Sequence, residues 1–309
     1  MGQRIGVIGL GQIGLPLAKL LLEAGHEVIG YRRGDMREFR QAGGQSAGSA
    51  RAVAESADII LSCLPSSAAL DQVVDGQDGL LAARRPILLI ELLTLPPVHR
   101  IAVRDRLAQI RGEMLDCPMS GTPVMLAGRN SVLFASGERS AFARALPVLQ
   151  DITPKVFFLG EFGVGTRLKF CANLLVGVHI MAAAEAISLG QTAGLDGELL
   201  VSALRDSAAT SLQFQVRAPM MIAGCSEQPL ALLKMLDKDL KLIESFADEL
   251  GCATPLLRTA TEWYAKAMSA GLGERDAAAI VHTLNAACAA KTPREANDFS
   301  PLTFGKPNA

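Results

Sequence analysis

Short runs of β-branched and aliphatic residues alternate with longer helical patterns through the first half of the chain. A short apolar run bordered by turn residues is typical of a buried strand, and apolar residues at helical spacing are typical of an amphipathic helix. Strands that alternate with helices predict a parallel, doubly wound α/β sheet. The predicted strands are Arg4–Ile8, Glu27–Tyr31, 58–64, 87–92, 113–117, 131–136 and 156–159.

Capping residues and prolines predict where several helices of this half begin. The predicted starts are Ser49 before Ala50–Ser56, Pro96 and Pro97 before a helix to about Arg111, and Ser140 before 141–150.

Strand patterns nearly vanish after Gly160, and Ala- and Leu-rich helical patterns continue to about Ala290. Glycines interrupt them at positions 194, 224, 251 and 271, where helices are predicted to end. The second half is therefore predicted to be all-helical.

The length of 309 residues favours two domains, each large enough to bury its own core. Residues 1–161 are predicted to form a Rossmann domain, and residues 162–290 an all-α domain for substrate binding and oligomerisation. A long inter-domain helix is predicted to join them, and the proline-containing segment 291–309 is predicted to be an extended tail.

An apolar stretch at 174–193 approaches membrane-spanning length, but it contains His179, Glu185 and Gln191. Polar residues at these positions favour a buried helix over a membrane span. We therefore predict no membrane association.

The composition narrows the class of protein further. Half of the residues are apolar and the net charge is −1, which is typical of a soluble globular protein and makes nucleic acid an unexpected partner. The six cysteines include no Cys-x-x-Cys pair, so we expect free thiols in a reducing cytoplasm and no metal site.

The segment 4–14 places Gly-x-Gly-x-x-Gly between a predicted strand and a predicted helix, which is the context of a dinucleotide-binding loop. Gly9 permits a tight turn, Gly11 lets the backbone approach a pyrophosphate, and Gly14 lets the helix pack closely on the strand. The helix N-terminus attracts the phosphates. The candidate cofactor-binding residues of this loop are Gly9, Leu10, Gly11, Gln12, Ile13 and Gly14.

At the end of the second strand, NAD enzymes usually carry an acidic residue that binds the ribose 2′-hydroxyl, but this chain has Arg32 and Arg33. Guanidinium groups bind a 2′-phosphate through charge-assisted hydrogen bonds. The two arginines therefore favour NADP over NAD, although they could also be solvated loop charges. Tyr31 could flank the adenine ring or belong to the core.

Three further motifs follow the glycine fingerprint: Asp-Cys-Pro-Met-Ser-Gly-Thr at 116–122, Gly-Val-Gly-Thr-Arg-Leu-Lys-Phe-Cys-Ala-Asn at 163–173, and Lys-Asp-Leu at 238–240. With these four motifs in this order, the chain resembles the β-hydroxyacid dehydrogenase family. The family includes 3-hydroxyisobutyrate dehydrogenase and tartronate semialdehyde (glyoxylate) reductase, and the likeness spans nearly residues 3 to 285.

The resemblance implies that Lys169 transfers the hydroxyl proton and that Asn173 helps to hold the substrate. Residues at i and i+4 of a helix share one face, which independently brings these two side chains together. The oxidative direction requires a lowered lysine pKa. Partial burial and a neighbouring cation, for which Lys238 is the candidate, would both lower it.

The resemblance also implies contacts with substrate and cofactor from several loops. Ser120, Gly121 and Thr122 would offer hydroxyls and backbone amides to a substrate carboxylate, although they could also form an ordinary turn at a strand end. The other implied contacts are Leu64, Pro65 and Thr94 near the ribose and nicotinamide, and Lys238, with Asp239, closing the site from the helical domain.

Five positions depart from the usual motifs of the family: Arg32, Glu91, Leu93, Thr122 and Ala172. They leave the proton chemistry intact and put the identity of the substrate in doubt.

The sequence thus predicts an NADP-dependent oxidoreductase that acts on a small carboxylate-bearing β-hydroxyacid or its semialdehyde. The family resemblance implies a homodimer or homotetramer. The alternatives are a non-catalytic NADP-binding regulatory protein and a reductase of a non-acid carbonyl or an imine. Retention of Lys169 argues against the non-catalytic protein and against an imine reductase.

Overall fold

The computed structural model describes residues 2–225 and 229–290. The predicted tail at 291–309 lies outside the described residues. In the described part of the chain, nine strands and thirteen α-helices follow one another. The strands are β1 (Arg4–Ile8), β2 (Glu27–Tyr31), β3 (Gln45–Ser46), β4 (Ile59–Ser62), β5 (Leu88–Glu91), β6 (Glu113–Asp116), β7 (Met119–Ser120), β8 (Val132–Ala135) and β9 (Val156–Phe158). The helices are α1 (Gly14–Glu23), α2 (Arg37–Gln41), α3 (Ala50–Ser56), α4 (Ser67–Asp75), α5 (Pro97–Ala108), α6 (Pro123–Ala127), α7 (Arg139–Ile152), α8 (Val164–Thr192), α9 (Gly197–Arg205), α10 (Leu212–Ile222), α11 (Leu233–Glu249), α12 (Pro255–Ser269) and α13 (Ile280–Ala290).

Six parallel strands form the main sheet in the order β3-β2-β1-β4-β5-β6, which confirms the predicted doubly wound fold. Every residue of β4 and β5 is buried, as expected for strands with helices on both faces of the sheet. The last residues of neighbouring strands pair in register: Ile8 with Tyr31 and with Ser62, Ser62 with Glu91, and Glu91 with Asp116. The strand order reverses between β1 and β4, and open α/β sheets bind ligands beyond the carboxyl ends of the strands at such a point.

The last two predicted strands do not extend this sheet. β8 pairs antiparallel with β7 and parallel with β9 in a separate three-stranded sheet. A parallel neighbour of β6 would usually follow a helical crossover, but the chain between β6 and β8 contains only the five-residue helix α6 after β7. The chain therefore turns back after β6, and an isolated antiparallel bridge joins Asp116 to Ser136.

The predicted helix starts have different outcomes. The Ser49 hydroxyl accepts a hydrogen bond from the Ala52 amide at 3.1 Å, which confirms the cap of α3. The cap predicted at Ser140 is wrong, because α7 already begins at Arg139 and Glu138 precedes it without a capping side-chain bond. Gly137, with φ of +138°, ends the preceding strand early enough for the helix to start there.

Contacts between Cα atoms divide the chain into two compact units. The first contains the chain through Leu175 together with Asp239–Ala253, and we call it the nucleotide-binding unit. The second contains the described residues of Val176–Lys238 and those from Thr254 to Ala290, and we call it the helical unit. The divisions after Leu175 and Lys238 fall within α8 and α11, the third falls between α11 and α12, and the boundary predicted at 161/162 lies just before α8.

The helical unit contains α9, α10, α12, α13 and most of α8. The predicted glycine interruptions, of which Gly251 lies in the nucleotide-binding unit, all have left-handed backbone, with φ of +81° at Gly194, +83° at Gly224, +65° at Gly251 and +78° at Gly271. A left-handed residue just after the last turn commonly ends a helix, and glycine adopts this conformation without a Cβ clash.

By length and composition, α8 is long and apolar enough to cross a membrane. The core helices of soluble proteins meet the same test, and 44% of its most apolar window is buried inside the protein. Four buried polar side chains also lie on α8, namely Thr166, Lys169, Asn173 and Ser188. This arrangement favours a core helix.

Candidate active site

The loop between β1 and α1 carries the glycine fingerprint at the carboxyl edge of the main sheet. Gly9 has φ of +90°, and a Cβ at this position would lie 2.4 Å from the Cys63 carbonyl oxygen. A Cβ on Gly14 would lie 2.1 Å from the Gly9 carbonyl oxygen. Packing within the protein therefore requires glycine at both positions.

Gly11 is different, because a Cβ there would meet no described protein atom within 4 Å. Packing of the described chain does not require glycine at this position, whereas close approach of a ligand to the backbone would. No described side chain caps the start of α1, and its first turn contains no acidic residue. The unsatisfied amides and the positive end of the helix dipole suit an anion, so the loop fits the pyrophosphate of a dinucleotide.

Arg32 and Arg33 follow β2 and are exposed. The Nη1 atom of Arg32 donates to the Leu10 carbonyl oxygen at 2.7 Å, which places this guanidinium against the glycine loop. The Nη1 atom of Arg33 lies 3.5 Å from Gln72 Oε1 on α4. Tyr31, the last residue of β2, is half-buried.

Two carboxylates, Asp35 and Glu38, share a small cavity of about 130 Å³ with Arg32. Asp35 forms an ion pair with Arg37 at 2.7 Å, and Glu38 forms one with Lys19 at 2.8 Å. Hydrogen bonding to Arg37 lowers the pKa of Asp35. Because both carboxylates have cationic partners, the guanidinium of Arg32 keeps donors for an anion beyond the one directed at the loop.

The loops after β4 and β5 carry the other predicted cofactor contacts. Leu64 and Thr94 are buried, and Pro65 is exposed. The Leu93 amide donates to Glu91 Oε1 at 3.0 Å, so a carboxyl group braces the turn that leads to Thr94. Burial raises the pKa of Glu91.

Lys169 and Asn173 lie one turn apart on α8, and their exposed fractions are 8% and 6%. Asn173 Nδ2 donates to Asp239 Oδ2 at 2.8 Å. Burial lowers the pKa of Lys169 to about 8, and the Asp239 carboxylate opposes this effect by raising it. The lowering that we expected from burial is therefore present.

The charged neighbour that acts on Lys169 in the nucleotide-binding unit is thus an anion, whereas the sequence suggested the cation Lys238. Lys238 belongs to the helical unit, and its roles in pKa control and ligand binding stay predictions.

The predicted substrate loop spans the end of β7 and the start of α6. Ser120 is half-buried, and Gly121 has φ of +152° with its Cβ position 3.1 Å from the Ser131 Cβ. Thr122 caps α6, since its hydroxyl oxygen accepts from the Met125 amide at 3.3 Å. The cap uses a lone pair of Thr122, so the hydroxyl hydrogen can still be donated to an anion.

The contact between Asn173 and Asp239 was missed in the sequence, where Asp239 entered only through the family motif. The two residues are 66 positions apart, and no periodic pattern connects them. The Lys-Asp dipeptide was the only available signal, and it gave no indication of the partner.

These observations define the class of protein. A Rossmann sheet whose glycine loop fits a pyrophosphate is typical of a protein that binds a nicotinamide dinucleotide, and the names of the relatives reported below identify an oxidoreductase that acts on hydroxyl groups.

The family follows from two matches of sequence. Residues 4–160 match the NAD-binding domain of 6-phosphogluconate dehydrogenase, and residues 163–284 match the NAD-binding domain of NADP-dependent 3-hydroxyisobutyrate dehydrogenase. The chain belongs to the β-hydroxyacid dehydrogenase family.

Relatives match over nearly the whole chain. L-threonate dehydrogenase of Cupriavidus necator is 34% identical over 91% of this chain and 96% of its own length. NAD-dependent L-serine dehydrogenase of Pseudomonas aeruginosa is 29% identical over 89% of this chain and 95% of its own. A crystal structure of 3-hydroxyisobutyrate dehydrogenase from Salmonella typhimurium has a TM-score of 0.84 and 29% identity, covering 91% of this chain and 99% of the other.

Proposed function

We propose that the protein is an NADP-dependent dehydrogenase of a small β-hydroxyacid, with Lys169 as its general acid and base. The buried position and lowered pKa of this amine are the main support. L-Threonate and L-serine are substrates in the names of relatives, so a short acid with a hydroxyl group is the proposed class.

A pKa of about 8 makes Lys169 suitable for both directions of the reaction. An ordinary lysine, with a pKa near 10.4, is almost entirely protonated near neutral pH and is a poor base. With the lowered value, the neutral amine can accept the hydroxyl proton in oxidation, and the ammonium can donate a proton to the carbonyl oxygen in reduction. A bound nicotinamide would accept or supply the hydride.

Asp239 serves this proposal in two ways. Its carboxylate keeps the Lys169 pKa from falling further, so a useful fraction of ammonium persists near neutral pH. It also fixes one amide hydrogen of Asn173, which orients the remaining donor and acceptor of that side chain. An oriented amide is suited to holding a substrate hydroxyl or carboxylate.

The purified protein should oxidise at least one of L-threonate, L-serine and 3-hydroxyisobutyrate, with NADPH formation as the readout. The reverse reaction should consume NADPH with a small semialdehyde. Tight NADPH binding without turnover in either direction would contradict the proposal and favour a binding protein.

The cofactor preference rests on Arg32 and Arg33. Their double substitution to alanine should weaken NADPH binding about ten- to hundredfold, since hydrogen bonds to charged groups contribute about 1.5–3 kcal/mol. NADH binding should weaken far less, because NADH lacks the 2′-phosphate. Fluorescence titration of both cofactors gives the ratio. Arg51→Ala is the matched control, since its exposed side chain pairs with Glu55 on α3. Equal losses for NADPH and NADH would contradict the 2′-phosphate contact.

A further inference from the structure

The helix that carries the proposed acid–base residue has no local side-chain cap. Gly163, the residue before α8, has φ of +94° and no side chain. The amides of Gly163 and Gly165 donate to Ser136 Oγ at 3.2 and 3.0 Å. The Thr166 amide donates to Asp116 Oδ2 at 2.8 Å. The cap of α8 therefore comes from the ends of β6 and β8, far away in the sequence.

Gly165 makes this close approach possible. A Cβ at this position would lie 2.2 Å from the Phe134 carbonyl oxygen and 3.0 Å from the Asp116 carbonyl oxygen. Any side chain would push the first turn of α8 away from the strands. The second glycine of this motif is therefore a packing requirement of the helix start.

Asp116 is the centre of the cap and is fully buried. Its Oδ1 atom accepts a hydrogen bond from Thr166 Oγ1 at 2.7 Å, and Ser136 Oγ donates to its Oδ2 atom at 3.0 Å. The guanidinium of Arg100, also fully buried, forms an ion pair with the same carboxylate. A second bond from Arg100, to the Glu91 carbonyl oxygen at 3.3 Å, ties the group to β5.

The charges in this cluster match their surroundings. A carboxylate is stabilised at a helix N-terminus by the unsatisfied amides and the dipole. A carboxylate buried without a partner would strongly destabilise the fold, and here Arg100 supplies the opposite charge. The arrangement pairs the Asp116 carboxylate with a cation at the first turn of α8.

We propose that Asp116 and Arg100 are positioning residues for Lys169, acting through Thr166. Lys169 follows Thr166 by three residues, so the helical rise between them is about 4.5 Å. Asp116 is also the last residue of β6, four residues before Ser120 of the substrate loop. The cluster thus fixes the amine relative to that loop. The inference rests on the proposed function of Lys169.

Thr166→Val tests this role with little change in side-chain shape. It removes the hydroxyl bond to Asp116 but keeps the Arg100–Asp116 ion pair, so the fold should survive. A displacement of about 1 Å at a catalytic group can lower the rate about a hundredfold, and we expect kcat to fall about ten- to hundredfold. The KM for NADPH should stay near that of the wild type. Thr166→Ser retains the hydroxyl and should restore kcat.

Thr261→Val is the matched control. This threonine is also buried, and its hydroxyl donates to the Leu257 carbonyl within α12 of the helical unit. The variant makes the same chemical change and also loses one hydrogen bond, which lies within α12. Equal kcat in Thr166→Val and Thr261→Val would overturn the proposal, as would an equal loss in Thr166→Val and Thr166→Ser.

A second readout does not depend on turnover. NMR titration of isotope-labelled lysine side chains, with Lys169 assigned from a Lys169→Arg spectrum, measures its pKa in each variant. Displacement from the buried position should raise this pKa in Thr166→Val and leave it unchanged in Thr261→Val. If the wild type turns over none of the acids, the proposed function fails. The pKa comparison still decides the positioning role, and an unchanged pKa in Thr166→Val would overturn it.

Discussion

Replacing Lys169 with alanine is expected to lower kcat by about 10²- to 10⁴-fold, the usual contribution of a positioned general acid or base. NADPH binding should change little, because the predicted cofactor contacts lie in the glycine loop and the loops after β2, β4 and β5. Stopped-flow turnover and cofactor titration separate the two effects.

The pH dependence gives the sharper test of the same group. Reduction needs the ammonium form, so its rate should be full below the Lys169 pKa and fall as the pH rises through about 8. Oxidation needs the neutral amine and should rise over the same range. The pH dependences of both rates should disappear in Lys169→Ala. If either pH dependence persists in this variant, another group carries out the proton transfer.

Two further variants distinguish proton transfer from charge. Lys169→Arg keeps a cation, but a guanidinium is not deprotonated in proteins, so oxidation should remain as slow as in Lys169→Ala. Lys155→Ala removes an exposed lysine of the nucleotide-binding unit and should retain wild-type kcat. Full oxidation by Lys169→Arg would show that the position needs only a positive charge.

The parts of this site that the sequence predicted depend on local patterns. The glycine loop follows from residues 9 to 14 between a strand and a helix, and the pairing of Lys169 with Asn173 follows from helical spacing. Burial of Lys169 was predicted together with its effect on the pKa. The identity of the nearby charge could not be predicted, because Asp239 comes from α11.

The fold shows the same division between local and long-range information. The parallel strands of four or five residues were predicted because each contains consecutive aliphatic residues within a recognisable run. β3 and β7 have two residues each, too few to produce a pattern. The separate three-stranded sheet depends on how the chain turns after β6. The cap of α8 uses Asp116, 50 residues before Thr166, so no spacing rule applies.

Asp276→Asn is expected to lower the free energy of unfolding of the helical unit by about 3–5 kcal/mol, the usual effect of removing one partner of a buried ion pair. Asp276 is fully buried and forms an ion pair with Arg217, which is 3% exposed. The variant would leave the guanidinium without its counter-charge. Urea unfolding measures the loss, and Trp263 on α12, the one tryptophan of the chain, makes fluorescence a probe of this unit.

Glu274→Gln is the matched control for Asp276→Asn. Glu274 pairs with Lys234 at 2.5 Å in the same unit, but its side chain is 76% exposed. Exposed ion pairs contribute only about 0–1 kcal/mol, so this variant should unfold near the wild-type midpoint. Equal shifts in the two variants would contradict a special role for the buried pair.

A double variant separates charge from backbone capping at Asp276. Replacing a buried ion pair with apolar residues often preserves stability, because the desolvation of both charges is avoided. Asp276, however, also accepts from the amides of Leu230, Ala231 and Ala278 at 2.7, 3.2 and 2.9 Å. In the double variant Arg217→Met with Asp276→Leu, these three amides would lose their acceptor. Each buried amide left unpaired should lower the free energy of unfolding by about 1–3 kcal/mol. We therefore expect the double variant to stay destabilised, and recovery of wild-type stability would show that the ion pair alone matters.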